Sequence, residues 1–179
     1  MAKPKMLDAI ALLKADHRKV EGLFKKFEAA RNGAVKKALA KEICTELSVH
    51  TMIEEEIFYP ACRPGVEEDQ MDEAFVEHDG AKVMIAELLG SAPGKDFFDA
   101  KMKVLSEEIK HRVKEEERPG DGVFAQAREA GLDMDALGSR MAARKKILLA
   151  EFKSRGLPPP KTRSFTGHRL EQGKEVAAV

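Results

Sequence analysis

The sequence predicts an all-α protein: an up-down-up-down four-helix bundle with a fifth helix and a flexible C-terminal tail. Three observations carry this. Apolar residues recur at steps of three and four through four long segments, the period of helix faces packed on other helices. The segments are separated by short turns rich in Pro and Gly, as in antiparallel bundles. Charged residues make up 35% of the 179-residue chain, with no Trp and a single Tyr, a composition that suits helices better than a β-sandwich.

The first helix is predicted over about 8–30, with Ile10, Leu13, Val20, Phe24 and Phe27 on one seam and His17 on the same seam. Asn32-Gly33 is read as its left-handed stop. The second spans about 35–59, with Ile43, Leu47, His50, Glu54 and Ile57 on one face and Pro60 and Pro64-Gly65 as stops. The third spans about 67–90, with Met71, Phe75, His78, Ile85 and Leu89 inward. The fourth spans about 96–117 and is read with Val104, His111 and Glu115 on its inner face. Pro119-Gly120-Asp121-Gly122 breaks it. A short segment, 123–130, precedes a fifth helix over about 133–154 that carries Leu137, Met141, Leu148 and Phe152. One domain over 7–155 and a flexible tail over 156–179, opened by Pro158-Pro159-Pro160, follow from this division.

Lys plus Arg equals Asp plus Glu, 31 each, so no basic face for nucleic acid is expected. No apolar run reaches the ~20 residues that span a bilayer. The first residues contain no long apolar stretch or cleavage site, so we expect no signal peptide and a cytoplasmic protein. Cys44 and Cys62 would lie roughly 25 Å apart along a helix, too far for a disulfide, so free buried thiols are expected.

The chemistry lies in a doubled pattern. His17, His50 and Glu54 recur 61 positions on as His78, His111 and Glu115, and the chain has only five histidines. In each His-x-x-x-Glu pair, residues four apart stand one above the other on a helix. A lone histidine on an apolar face is more often a hydrogen-bonded core residue than a ligand, but six donors in register point to one shared metal site. Two buried carboxylates would each lack a partner and would repel each other. Two cations between them cancel both penalties. Imidazole and carboxylate donors without sulfur suit iron, with manganese, zinc or cobalt as alternatives. Each metal would keep a position for a small diatomic or peroxide ligand. Glu55, Glu56, Glu116 and Glu117 are read as solvated, Tyr59 as a packing residue and His168 as a bystander. Glu46 and Glu107 are candidates to orient the imidazoles.

These elements (Asp16-His17, the run from His50 to Pro60, Glu77-His78, and His111-Arg112-Val113-Lys114-Glu115-Glu116) resemble the hemerythrin-like, or HHE cation-binding, family, and the resemblance covers about 7–152. It implies a four-helix bundle around a non-haem, oxo-bridged centre of two iron ions. By the family's pattern His17 and His111 would hold one iron, His50 and His78 the other, and Glu54 and Glu115 would bridge them. Oxygen-carrying hemerythrins use a further histidine that this bundle lacks, so the resemblance is to bacterial relatives implicated in nitric-oxide response, peroxide handling and iron–sulfur repair. The expected function is binding, sensing or scavenging of O2, NO or peroxide. The rival is a catalase-like or peroxidase-like enzyme at the same irons. A metal-free interaction bundle is the third reading. The chain is expected to be a monomer or homodimer.

Overall fold

A computed structural model describes residues 7–165. Its elements are α1 (Ala9–Ala29), α2 (Gly33–Ile53), a π-helical turn (Glu54–Phe58), α3 (Tyr59–Cys62), a 3-10 turn (Arg63–Gly65), α4 (Glu68–Leu89), α5 (Phe98–Glu116), α6 (Val123–Glu129) and α7 (Met134–Arg155). Among the described residues there is no strand, and no helix is long and apolar enough to cross a membrane.

Helices α1, α2 and α7 begin where polar side chains satisfy otherwise unpaired backbone N–H groups. Asp8 accepts from the Ala11 N–H at 2.7 Å, and Asp133 accepts from Ala136 at 2.9 Å. Asn32 was expected to stop the first helix. It instead starts α2, its side chain accepting from the N–H groups of Ala34 and Val35. Helix α7 ends at Gly156, whose φ of +80° a side chain would disfavour.

Helix α1 packs on α2, α5 and α7; α4 packs on α5 and α2; and α7 covers α2 as well as α1. The interior forms two apolar clusters. One gathers Ile10, Leu13, Ile53, Phe58, Met71, Phe124, Met141 and their neighbours. The other gathers Val20, Phe24, Ile43, Leu47, Ile85, Met102, Leu105 and theirs. On α1, α2 and α4 the histidine falls where one cluster gives way to the other, and a buried polar layer fills that junction: Asp16, His17, His50, Glu54, His78, Arg112 and Glu116.

The second helix does not stop at Pro60. It passes through the π turn, in which the Tyr59 N–H bonds the Glu54 carbonyl, and continues to Cys62. A wider turn accommodates a proline, which has no N–H to offer. Cys44 and Cys62 are free and buried, and burial pushes both thiols up to about 12. Residues 157–165, expected to be loose, lie against α4. Both the Arg163 and Ser164 N–H groups donate to Asp79, at 2.6 and 2.7 Å. His168 and the rest of the tail lie outside the described residues.

Candidate metal centre

Three of the four expected histidines converge. The α1 seam carries His17 inward, α2 carries His50, and α4 carries His78, all buried. Glu54 at the start of the π turn is fully buried among them. The Nε2 atoms of His50 and His78 lie 3.3 and 3.2 Å from the Glu54 carboxylate. The Nε2 atoms of His17 and His50 are 3.2 Å apart.

His111 and Glu115 are not in this group. The His111 side chain is 63% exposed and Glu115 35%. With Glu77 they form a separate group on the outside of the protein. The inner face of α5 is one residue further along: Phe98, Met102, Leu105, Arg112 and Glu116 are buried, whereas Val104, the residue read as marking the inner face, is exposed. Glu116 therefore stands where Glu115 was expected, its side chain only 4% exposed and its Oε2 3.3 Å from His17 Nε2. Donor atoms of His17, His50, Glu54 and Glu116 all lie within 4.8 Å of one another. In the place of His111 comes Arg112. Its guanidinium donates to Glu116 at 2.8 Å, to Glu77 at 2.9 Å, to the Ala74 carbonyl at 3.1 Å and to the Tyr59 hydroxyl. Tyr59 in turn donates to Glu116 at 2.9 Å and stacks on the His78 ring at 5.6 Å.

Two of the three imidazoles are backed by a carboxylate hydrogen-bonded to the other nitrogen. His17 Nδ1 donates to Glu117 at 2.8 Å, and His78 Nδ1 donates to Glu55 at 3.0 Å. His50 Nδ1 lies 3.6 Å from Asp16, which is itself held by Lys145. Since a carboxylate only accepts, in His17 and His78 the proton sits on Nδ1 and the lone pair of Nε2 points inward, the arrangement that orients metal-binding histidines. The two glutamates proposed for this role do other things. Glu46 pairs with Lys19 at 2.7 Å, and Glu107 is exposed. Asp16, Glu55 and Glu117 were the residues to find, and their contiguity with His17, Glu54 and Glu116 was the available signal.

Burial alone would raise the carboxyl groups of Glu54 and Glu116. Contact with His50 and His78 holds Glu54 well below its usual value. Glu116 is raised further by Glu54 but brought below its usual value by Arg112 and His17. Burial disfavours the charged form of His50, yet Glu54 and Asp16 lift it to about 10. Both oxygens of Glu54, Oε2 of Glu116 and Nε2 of His78 are buried with no hydrogen-bond partner among the described residues. Such atoms normally find partners. Here they are all metal-ligating types facing one space, so the residues fit a bound transition-metal cation.

The family model described as Hemerythrin HHE cation binding domain matches residues 8–119. The chain belongs to the hemerythrin HHE cation-binding family. Among solved structures, an HHE cation-binding-domain protein from Mycobacterium kansasii superimposes with a TM-score of 0.70 at 24% identity, covering 85% of this chain and 96% of that one. A search of curated proteins gives no match. The HHE assignment and the buried His/Glu cluster agree on cation binding.

Proposed function

We propose that this HHE protein holds two iron ions at His17, His50, His78, Glu54 and Glu116, with manganese or zinc as competing metals, and uses them to bind, sense or scavenge O2, NO or peroxide. In this reading α1, α2, α4 and α5 form the up-down-up-down bundle and α7 covers it. The observation that carries the reading is the set of three Nε2 atoms, those of His17 and His78 backed through Nδ1 by a hydrogen-bonded carboxylate, facing two buried carboxylates with unpartnered oxygens. Glu54, facing both His50 and His78, is the donor two ions would share. Bound iron would supply an open coordination position and a reversible one-electron change. The protein supplies orientation and a dry wall. Phe124 stacks on His17 at 5.8 Å and meets Phe58 edge-on, closing that side to water.

The enzyme reading, peroxide decomposition, is favoured by one feature. The Arg112 guanidinium and the Tyr59 hydroxyl lie against Glu116, and burial holds the phenol well above its usual value, so it stays a proton donor. Oxygen evolution from peroxide by iron-loaded protein separates this reading from simple binding.

The test is anaerobic loading with ferrous iron, quantification of iron per chain, and optical spectra before and after O2, NO and peroxide. New absorption is expected with at least one ligand, and Glu54→Ala is expected to lose both ions. Iron uptake with no spectral response to any ligand would contradict the proposed activity, and retention of both ions by Glu54→Ala would contradict the shared-donor role.

A further inference from the structure

On the face formed by α2, α4 and α7 lies a cavity of about 610 Å3 that the metal centre does not use. Its size is within the roughly 300–1,000 Å3 range of small-molecule sites. Met52, Ile85, Ala86, Leu89, Phe152 and Leu157 give it an apolar lining. The lining residues on the second helix run from Ser48 to Glu56, a length of about 12 Å at the helical rise.

The roof is a built feature. The chain leaves α7 at Gly156 and crosses the cavity as Pro158-Pro159-Pro160, which has no N–H groups with which to close onto the floor. It is pinned at the far side. Asp79, fully buried, accepts from the Arg163 and Ser164 N–H groups and from the Ser164 hydroxyl. Lys82 donates to the Lys161 carbonyl at 3.2 Å, and the Arg163 guanidinium lies over the Phe75 ring at 4.8 Å. Burial pushes the Asp79 carboxyl up, but these backbone donors and Lys82 outweigh it and hold it down to about 2.

Charge at the mouth is unequal. Glu56 is matched by Arg144 through two contacts, at 2.6 and 3.0 Å. Lys82 is matched by Asp79 at 2.9 Å and by Glu55 at 2.7 Å, and Arg163, also on the lining, pairs with Glu55 at 3.9 Å. Lys161, an exposed residue of the lining, has no ion-pair partner among the described residues. An apolar trough about one extended medium-length alkyl chain long, with one uncompensated cation at its rim, is complementary to an amphipathic acid.

We propose that this cavity binds a medium-chain carboxylate, its alkyl chain along Met52, Ile85, Leu89 and Phe152 and its head group at Lys161. The proposal rests on no property of the metal centre. The probe is decanoate, titrated into the full-length protein as purified and followed by calorimetry, with 1-decanol as the neutral analogue and excess acetate as the control for a carboxylate that binds metal. Saturable binding of a single decanoate per chain is expected, undisturbed by acetate. Lys161→Glu is expected to weaken decanoate on the order of tenfold and to leave decanol unchanged. Ala86→Trp, which fills the trough, is expected to abolish binding of both. Absence of saturable decanoate binding, displacement by acetate, or equal decanoate affinity in Lys161→Glu would each overturn the proposal. Because Lys161 is exposed, that variant keeps the test valid even if Ala86→Trp fails to fold.

Discussion

Arg112 neutralises charge that the fold could not otherwise bury. Its guanidinium contacts Tyr59, Glu77 and Glu116, and the contacting carboxylate of Glu116 is almost fully buried. Removing one partner of a buried pair strands the other, at a cost of roughly 3–5 kcal/mol. Arg112→Ala is therefore expected to lower the unfolding free energy of metal-free protein, read by urea denaturation, by an amount in that range; an unchanged free energy would show that Glu116 finds another cation. The same helix yields a sharper test. His111→Ala is expected to leave metal content at the wild-type level, whereas Glu116→Ala is expected to reduce it, both read by metal analysis of purified protein. The opposite result would place α5 in the register first expected from the sequence. That register was ambiguous for a physical reason: Glu115-Glu116-Glu117 offers a carboxylate at every phase, so His-x-x-x-Glu and Arg-x-x-x-Glu overlap one residue apart. The apolar stripe resolves it. At about 100° per residue, Arg112 lies about 20° round the helix from buried Leu105, and His111 roughly 120°. Val104 is an isolated apolar residue outside the stripe of Phe98, Met102 and Leu105.

At the scale of elements, the starts of α1 and α7 were legible from local caps, whereas Asn32, an equally local cap, was read as a stop although it starts α2. Asp8, Asp133 and Gly156 act within one turn of their own position. The π turn was not legible, because it is a response to tertiary demand. Glu54 and Tyr59 both point into the polar layer although five residues apart, which α-helical phase does not permit and one wider turn does. The crossing of α7 over the start of α1 is similarly tertiary and gives a clear prediction. A Cβ on Gly138 would stand 2.4 Å from the Leu7 carbonyl oxygen and 2.7 Å from the Ala9 nitrogen. Alanine in a helix interior is ordinarily favoured over glycine by about 1 kcal/mol, but forcing two backbones apart costs about 1–3 kcal/mol. Since the obstacle is backbone, overlap should win. Gly138→Ala is expected to lower the denaturation midpoint, and a rise would mean that α1 can step aside at its first turn.

Over the whole molecule, the polar layer is a break in an otherwise continuous interior. The all-α class was readable because period and turn residues are repeated over four long segments; the depth of the polar layer was not, because Glu55 and Glu117 reach it from positions read as solvated. The apolar clusters on either side contain none of the proposed ligands, so they should hold the helices together with or without metal. Bound cations stabilise only the folded state, by about 2.7 kcal/mol at free metal a hundredfold above Kd. In a chain of this size each kcal/mol moves the melting temperature by about 2–4 °C. Chelation is therefore expected to lower Tm by about 5–10 °C while far-ultraviolet circular dichroism at room temperature stays near its starting value. Loss of helix on chelation would mean that the clusters depend on metal to form. An identical Tm with and without metal would mean that the cations bind outside the folded interior, where exposed groups such as Glu77, His111 and Glu115 hold them equally well in both states.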